Sequence, residues 1–247
     1  MRKICISLSK GGVGKSTTAV TLAHGLTLAN KRVLLIDTDD QGQDSLFFGV
    51  KPEVGLAEVL NEEASLQEAC YEVRKDLFLL AGGKALSGVK RTIGRKDFGA
   101  EMTLSEALAP IEKKFDYVIV DTSPSFDTLT INSLFYCKEV LTPVSLEVLT
   151  LNSLAEFTQR LKSVQNFNKK LVHKYLVPTF WDGRVKKSKE IYEQLEKYYA
   201  NLLCDPIKYS VRMSESAGFG KTIFEYAPSS PCAKDYEKTI QRILSHG

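Results

Sequence analysis

An α/β fold, with a mostly parallel twisted sheet and helices on both faces, is predicted for this 247-residue chain by three observations. Strand-like and helix-like segments alternate from the first residues, the pattern that builds parallel strands joined by crossover helices. The strand-like segments are apolar runs, as in Arg32-Val33-Leu34-Leu35-Ile36-Asp37, which suit burial on both faces of a sheet. No repeat, low-complexity tract or linker interrupts the alternation, so residues 1–247 read as one domain.

Taken in order, the pattern predicts a strand over 3–9, a helix over about 16–29 and a strand over 32–37, together a βαβ unit. Residues 49–72 read as loop and short helices, and 77–81 as a strand. The stretch 82–99 is Gly-rich and basic and is left without an assigned structure. A helix over 102–114 feeds a strand over 117–121. Then come a helix near 128–137, a strand over 140–144, a long helix near 150–166 and a strand near 175–179. A charged helix near 186–201, a short strand near 204–207 and a closing helix near 231–245 complete the chain.

Composition narrows the class of protein. A hydrophobic content of 43% argues against disorder, and no stretch approaches the roughly 18 apolar residues of a membrane span. The opening Met1-Arg2-Lys3-Ile4-Cys5-Ile6-Ser7 is too short an apolar run for a signal peptide, which predicts a cytoplasmic protein. Cys5, Cys70, Cys137, Cys204 and Cys232 are far apart and form no C-x-x-C pair, as expected of small buried hydrophobes in a reducing compartment. The net charge of +3 is mild, so an acidic partner would have to be met by locally clustered Lys and Arg.

The chemistry is concentrated in Lys10-Gly11-Gly12-Val13-Gly14-Lys15-Ser16-Thr17, placed directly after a strand and directly before a helix. A Gly-rich turn there offers converging backbone N–H groups at the positive end of a helix dipole, which is what a phosphate needs. In this P-loop reading, Gly11, Gly12, Val13 and Gly14 cradle the phosphates of ATP. Lys15 bridges the β- and γ-phosphates, the Ser16 hydroxyl holds Mg²⁺, and Thr17 contacts the α-phosphate. Two later acidic segments supply the partners such a site requires. Asp37-Thr38-Asp39-Asp40-Gln41-Gly42-Gln43 follows the second strand, and Tyr117-Val118-Ile119-Val120-Asp121 is an apolar strand ending in the Walker B position, where Asp121 orders water around Mg²⁺. Either Asp alone could be a turn cap; the two together, after matched strands, fit a nucleotide site better.

The sequence resembles the ParA/Soj group of partition ATPases, within the MinD/ParA class whose deviant Walker A loop reads K-G-G-x-G-K-[ST]. The resemblance extends through residues 32–39, 117–124, Thr130-Ile131-Asn132-Ser133-Leu134, 140–144, Val211-Arg212-Met213-Ser214-Glu215 and 220–226. It implies a P-loop NTPase fold and an ATP-sandwich homodimer in which Lys10 is the signature lysine crossing to the γ-phosphate of the partner subunit. Lys15 serves its own site and Asp39 orients the attacking water, making Lys10, Lys15 and Asp39 the implied catalytic set. The chain departs from the family pattern at Asp40 and Ser123, which replace prolines, and at Gln43 and Asp44, which replace Asn and a small residue. Losing two prolines loosens loops that must answer to the γ-phosphate.

The resemblance further implies non-specific double-stranded DNA binding in the ATP state, nucleoid association, and a ParB-type or cargo adaptor protein that stimulates hydrolysis. Arg184, Lys186, Lys187, Lys189, Lys208 and Arg212 are the candidate DNA contacts. Read alone, Lys186, Lys187 and Lys189 form a solvated helix face balanced by Glu190, Glu193 and Glu196. A MinD-like membrane-cycling ATPase would instead use Ile240, Ile243 and Leu244 of the closing helix, although the same face reads equally as core packing and no stable membrane anchor is expected. A ParA-like ATPase positioning a protein cargo, an iron–sulfur relative using Cys70 and Cys137, and a non-hydrolysing nucleotide switch remain alternatives. His24, His173 and His246 read as packing or surface residues. Phe180-Trp181, after a late strand, suits either an adenine contact or a hydrophobic cap on the sheet.

Overall fold

The computed structural model describes residues 1–246, with the side chain of Glu112 left aside. Its strands are β1 (Arg2–Ile6), β2 (Val33–Asp37), β3 (Cys70–Arg74), β4 (Leu77–Leu80), β5 (Tyr117–Asp121), β6 (Glu139–Ser145) and β7 (Val172–Thr179). They form one seven-stranded sheet in the order β3-β4-β2-β5-β1-β6-β7. Every neighbouring pair is parallel except β3 with β4 at one edge. The helices are α1 (Lys15–Leu28), α2 (Asp44–Phe48), α3 (Leu56–Leu60), α4 (Leu66–Ala69), α5 (Leu86–Ile93), α6 (Thr103–Leu108), α7 (Thr128–Tyr136), α8 (Val148–Phe167), α9 (Lys186–Tyr199), α10 (Val211–Gly218), α11 (Ile223–Tyr226) and α12 (Pro231–Ser245).

The apolar strands are buried on both faces because successive side chains point to opposite sides. Leu34, Ile36, Val118 and Val120 enter one core with residues of α5, α6, α7 and α8. Val33, Leu35, Tyr117 and Ile119 enter a second core with residues of α1 and α12. Ile240 and Ile243 of the closing helix lie in that second core, with Leu244 packed against it. A fully buried Leu or Ile contributes roughly 1.5–3 kcal/mol, so this face of α12 is a substantial part of what holds the helix to the sheet.

The structure departs from the sequence reading at identifiable places. Residues 70–74 form an edge strand rather than the end of a loop region; it is short, antiparallel and interrupted by a register shift between Glu72 and Arg74, which blurs its alternation. The helix expected over 102–114 is broken into α6 and a 3-10 turn over Ala109–Lys114, with Pro110 at its start. Residues 204–207 do not form a ladder strand: bridges Leu176↔Leu203 and Trp181↔Lys208 flank a segment in which Pro206 has no N–H to donate. The unassigned Gly-rich stretch contains α5.

Strand order is what positions the site. β1 leads through α1 to β2, yet β5 lies between β1 and β2 in the sheet. The loops after β1, β2 and β5 therefore leave the same carboxyl edge around a crevice, the usual ligand position of an open parallel sheet. The register brings Asp37 of β2 directly beside Asp121 of β5, and Asp121 beside Ile6 of β1.

Candidate functional site

The turn between β1 and α1 takes a shape that requires glycine: Gly12 and Gly14 have φ of 73° and 86°, in the left-handed region. Val13, between them, buries its side chain in the core, and its carbonyl accepts a bond from Thr179 Oγ1 at 3.0 Å, so only its backbone N–H is left to face a ligand. The turn opens onto a cleft of about 810 Å³. Gly11, Gly12, Gly14, Lys15, Ser16 and Thr17 line it, as do Asp39 and Asp40 from the loop after β2.

Beneath the cleft lies a buried acidic cluster. Ser16 Oγ donates to Asp121 Oδ2 at 2.6 Å, and Asp121 is fully buried. Asp37 accepts from the backbone N–H groups of Asp39 at 2.9 Å and Asp44 at 3.3 Å. Burial pushes the Asp37 carboxyl up to about 7 and holds Asp44 and Asp121 well above the usual carboxylate range, with mutual repulsion adding to the effect. Asp39, half-buried, is raised by burial as well. Lys15 is lowered by burial, against the opposing attraction of Asp121 and Asp39, and its ammonium donates to the Lys10 carbonyl at 2.7 Å.

Lys10 takes a separate direction. Its Nζ donates to Thr150 Oγ1 at 2.6 Å and to Glu147 Oε2 at 3.2 Å, at the junction of β6 and α8. Thr150 is itself bonded to Ser145 Oγ at 2.8 Å. Lys15, Ser16, Asp39 and Asp121 thus converge, while Lys10 is held beside them by its own chain.

Beside Gly14, which the Phe180 ring borders, the lining changes to a largely apolar end made by Phe180, Ile207, Lys208, Tyr209, Met213 and Ala217. Phe180 sits at φ 58°, a conformation that non-glycine residues rarely adopt, and its ring meets Tyr209 edge-on at 6.4 Å. The Phe180-Trp181 pair therefore divides its roles: Phe180 lines the cleft, whereas Trp181 packs on Tyr192 of α9 with centroids 5.4 Å apart.

A family model described as an AAA domain matches residues 1–173. The chain is 33% identical over 247 residues to the chromosome-partitioning ATPase Soj of Thermus thermophilus, spanning 99% of this chain and 96% of that protein. It is 33% identical over 241 residues to the chromosome partitioning protein ParA of Myxococcus xanthus, spanning 95% and 85%. The chain belongs to the ParA/Soj family of partition ATPases. A structure of cobyrinic acid a,c-diamide synthase from Mycobacterium smegmatis with bound ATP analogue and magnesium has the same fold at a TM-score of 0.87 and 27% identity, covering 100% of this chain and 95% of that one. Apo McdA of Cyanothece matches in fold at a TM-score of 0.86 and 24% identity, over 99% of each chain.

In this ParA/Soj chain the positions that replace family prolines are tied down by side chains. Asp40 accepts from Ser87 Oγ at 3.3 Å and lies 3.9 Å from Lys90 Nζ. Ser123 Oγ donates to Asp127 Oδ2 at 3.1 Å, and Lys90 pairs with that same Asp127 oxygen at 2.7 Å. Lys90 therefore bridges the loops after β2 and β5, so the loosening expected at Asp40 and Ser123 is countered by α5. Lys90 escapes the sequence reading because it lies in the unassigned Gly-rich stretch. Glu147, Thr150 and Asp127 escape it because they lack a motif of their own.

The candidate DNA contacts separate into two groups. Arg184, Lys186, Lys187 and Lys189 lie exposed at and just before the start of α9, with Arg184 paired to Asp182 at 2.7 Å and Lys186 to Glu190 at 3.6 Å. Arg212 is exposed at the start of α10, 4.0 Å from Glu215. Lys208 differs: it lines the cleft and pairs with Asp235 at 3.0 Å, so it belongs with the cleft instead of the exposed basic group. Among the described residues no helix is long and apolar enough to cross a membrane. Cys137 is buried beside Cys5 and Cys70 sits apart on β3, which leaves the iron–sulfur alternative without support.

Proposed function

We propose that the chain is a Mg²⁺·ATP-dependent ATPase that dimerises around ATP and binds DNA without sequence preference in that state. With a ParB-type partner it segregates or positions plasmid or chromosome DNA. The observation that carries this reading is the convergence of Lys15, Ser16, Asp39 and Asp121 on the phosphate-loop cleft of a chain in the ParA/Soj family. Residues 1–247 act as one domain in this scheme.

The residues present fit a magnesium ion. Asp121 Oδ1 is buried and has no hydrogen-bond partner among the described residues, while Oδ2 already accepts from Ser16. A buried carboxylate oxygen without a donor is costly unless a cation faces it. Ser16 and Asp121 would hold the ion, whose charge offsets that of the β- and γ-phosphate oxygens.

The chain's own groups do the remaining work. Backbone N–H groups of the turn over residues 11–16 bind the phosphates, Lys15 exchanges its bond to the Lys10 carbonyl for phosphate oxygens, and Asp39 orients the attacking water. Burial of the floor raises the strength of each of these charge interactions. Lys10 would leave Glu147 and Thr150 to reach the γ-phosphate in a second chain; the Glu147 carboxylate is largely exposed, so giving up that ion pair costs only about 0–1 kcal/mol. A cation supplied by the partner couples dimerisation to hydrolysis. The dimer then presents two copies of the exposed basic group of Arg184, Lys186, Lys187 and Lys189, doubling the salt-sensitive phosphate contacts. The apolar face of α12 is committed to the core, which favours DNA over a membrane surface as the binding partner.

The test is binding to random duplex DNA at moderate salt with ATP, with ADP and without nucleotide, for the wild type and Lys10→Ala. Tight binding with ATP alone, lost in the variant, is expected. If DNA is ignored in every state, the DNA-based cycle is wrong and the search moves to membranes and protein cargo.

A further inference from the structure

Asp44 opens α2, in the loop that follows β2, at a position where the family pattern has a small residue. It is fully buried, and neither carboxylate oxygen has a hydrogen-bond partner among the described residues. Its neighbours make this more conspicuous. One oxygen each from Asp37, Asp44 and Asp121 lies within 4.8 Å of the others. Asp37 is served by two backbone N–H groups and Asp121 by the Ser16 hydroxyl, but Asp44 is served by neither kind of donor. The nearby cation, Lys15, directs its ammonium to the Lys10 carbonyl. Three buried carboxyl groups this close persist only when protons or a cation neutralise the cluster, and a cation can take the place of the protons.

We propose that Asp44, together with Asp37, joins the divalent-cation site of Ser16 and Asp121 and brings it to three protein carboxylates, so that this chain holds Mg²⁺ or Mn²⁺ before nucleotide arrives. The inference rests on the phosphate site proposed above but concerns cation binding without ATP. Magnesium at a nucleotide site usually takes one or two carboxylates and relies on substrate phosphates and waters for the rest. Three carboxylates within 4.8 Å of one another, beside a serine hydroxyl, span a single small hydrated cation and carry enough charge to retain it without phosphates. The all-oxygen donor set selects hard cations such as Mg²⁺ and Mn²⁺ over those that prefer nitrogen or sulfur.

The test uses the full chain, stripped of metal and nucleotide, titrated with Mn²⁺ while free Mn²⁺ is followed by electron paramagnetic resonance. Wild type is expected to take up one Mn²⁺ per chain in competition with Mg²⁺, and Asp44→Asn and Asp44→Ser to bind it about tenfold more weakly or worse. Binding of a non-hydrolysable ATP analogue in excess Mg²⁺ shows that each protein is folded. Wild type that binds the analogue but takes up no Mn²⁺ alone overturns the inference and leaves the ATPase reading standing, as do folded variants that bind Mn²⁺ as tightly as wild type. Wild type that fails to bind the analogue removes both readings.

Discussion

The phosphate end of the cleft is lined by residues 11, 12 and 14–17 after β1, by Asp39, Asp40, Gln41 and Gln43 after β2 and by Ser123 and Pro124 after β5, three strands side by side at the centre of the sheet, with Asp121 bonded beneath Ser16. The apolar end is made by Phe180, which follows the last strand and borders Gly14, by Ile207 and Tyr209 from the segment before α10, and by Met213 and Ala217 of α10. The first end is polar, stands over buried carboxylates and is fixed by strand register; the second is apolar, in part exposed, and rests on a non-glycine residue in a left-handed conformation. Under the function proposed above, the phosphate end would supply charge and position, and the apolar end would supply contact that changes affinity more than rate.

Separate substitutions can break that division. The largest effect is expected for Lys15→Ala: turnover of ATP should fall by roughly 10²–10³-fold, as when one preorganised charge donor is removed from a transition state. A loss confined to KM, with kcat kept, would mean that Lys15 is a binding group only and that the two ends are not distinct. A smaller and opposite pattern is expected for Phe180→Ala, with ATP bound about 5- to 10-fold more weakly, on the scale of one aromatic contact, and kcat almost unchanged. Phe180→Gly should weaken ATP equally yet be more stable to unfolding than Phe180→Ala by about 1 kcal/mol, because glycine adopts φ near 58° without strain. Equal stability of the two would show that the left-handed conformation at 180 is not costly.

The same division explains which parts of the molecule are legible in the amino-acid sequence. The loop Lys10–Thr17 and the strand ending at Asp121 are contiguous motifs whose residue types follow from phosphate and magnesium chemistry, so residue order alone displays them. The partnership of Asp37 with Asp121 also follows from two apolar strands that end alike. Tyr209 and Met213 are not recognisable as cleft residues in the same way, because an isolated aromatic or methionine after a charged helix has many uses and only tertiary packing chooses among them. Lys90 and Asp44 are hidden differently. Lys90 acts through contacts with Asp40 and Asp127 that lie 50 and 37 residues away in the chain, and Asp44 stands out as a departure from the family pattern, but no local pattern reveals its burial. The antiparallel edge of β3 and the non-strand at 204–207 defeat a local reading because a bulge and a proline each decouple composition from ladder pairing.

In the proposed dimer, Lys10 would complete the site of a second chain while Asp39 serves its own. The most direct measurement is ATP turnover by an equimolar mixture of Lys10→Ala and Asp39→Ala chains, each inactive alone. A mixed dimer would contain one site with its own Asp39 intact and Lys10 supplied by the partner, so random pairing should restore about a quarter of wild-type turnover. A mixture as inactive as its components, with dimers shown to form, would contradict the account and place Lys10 in its own chain's site.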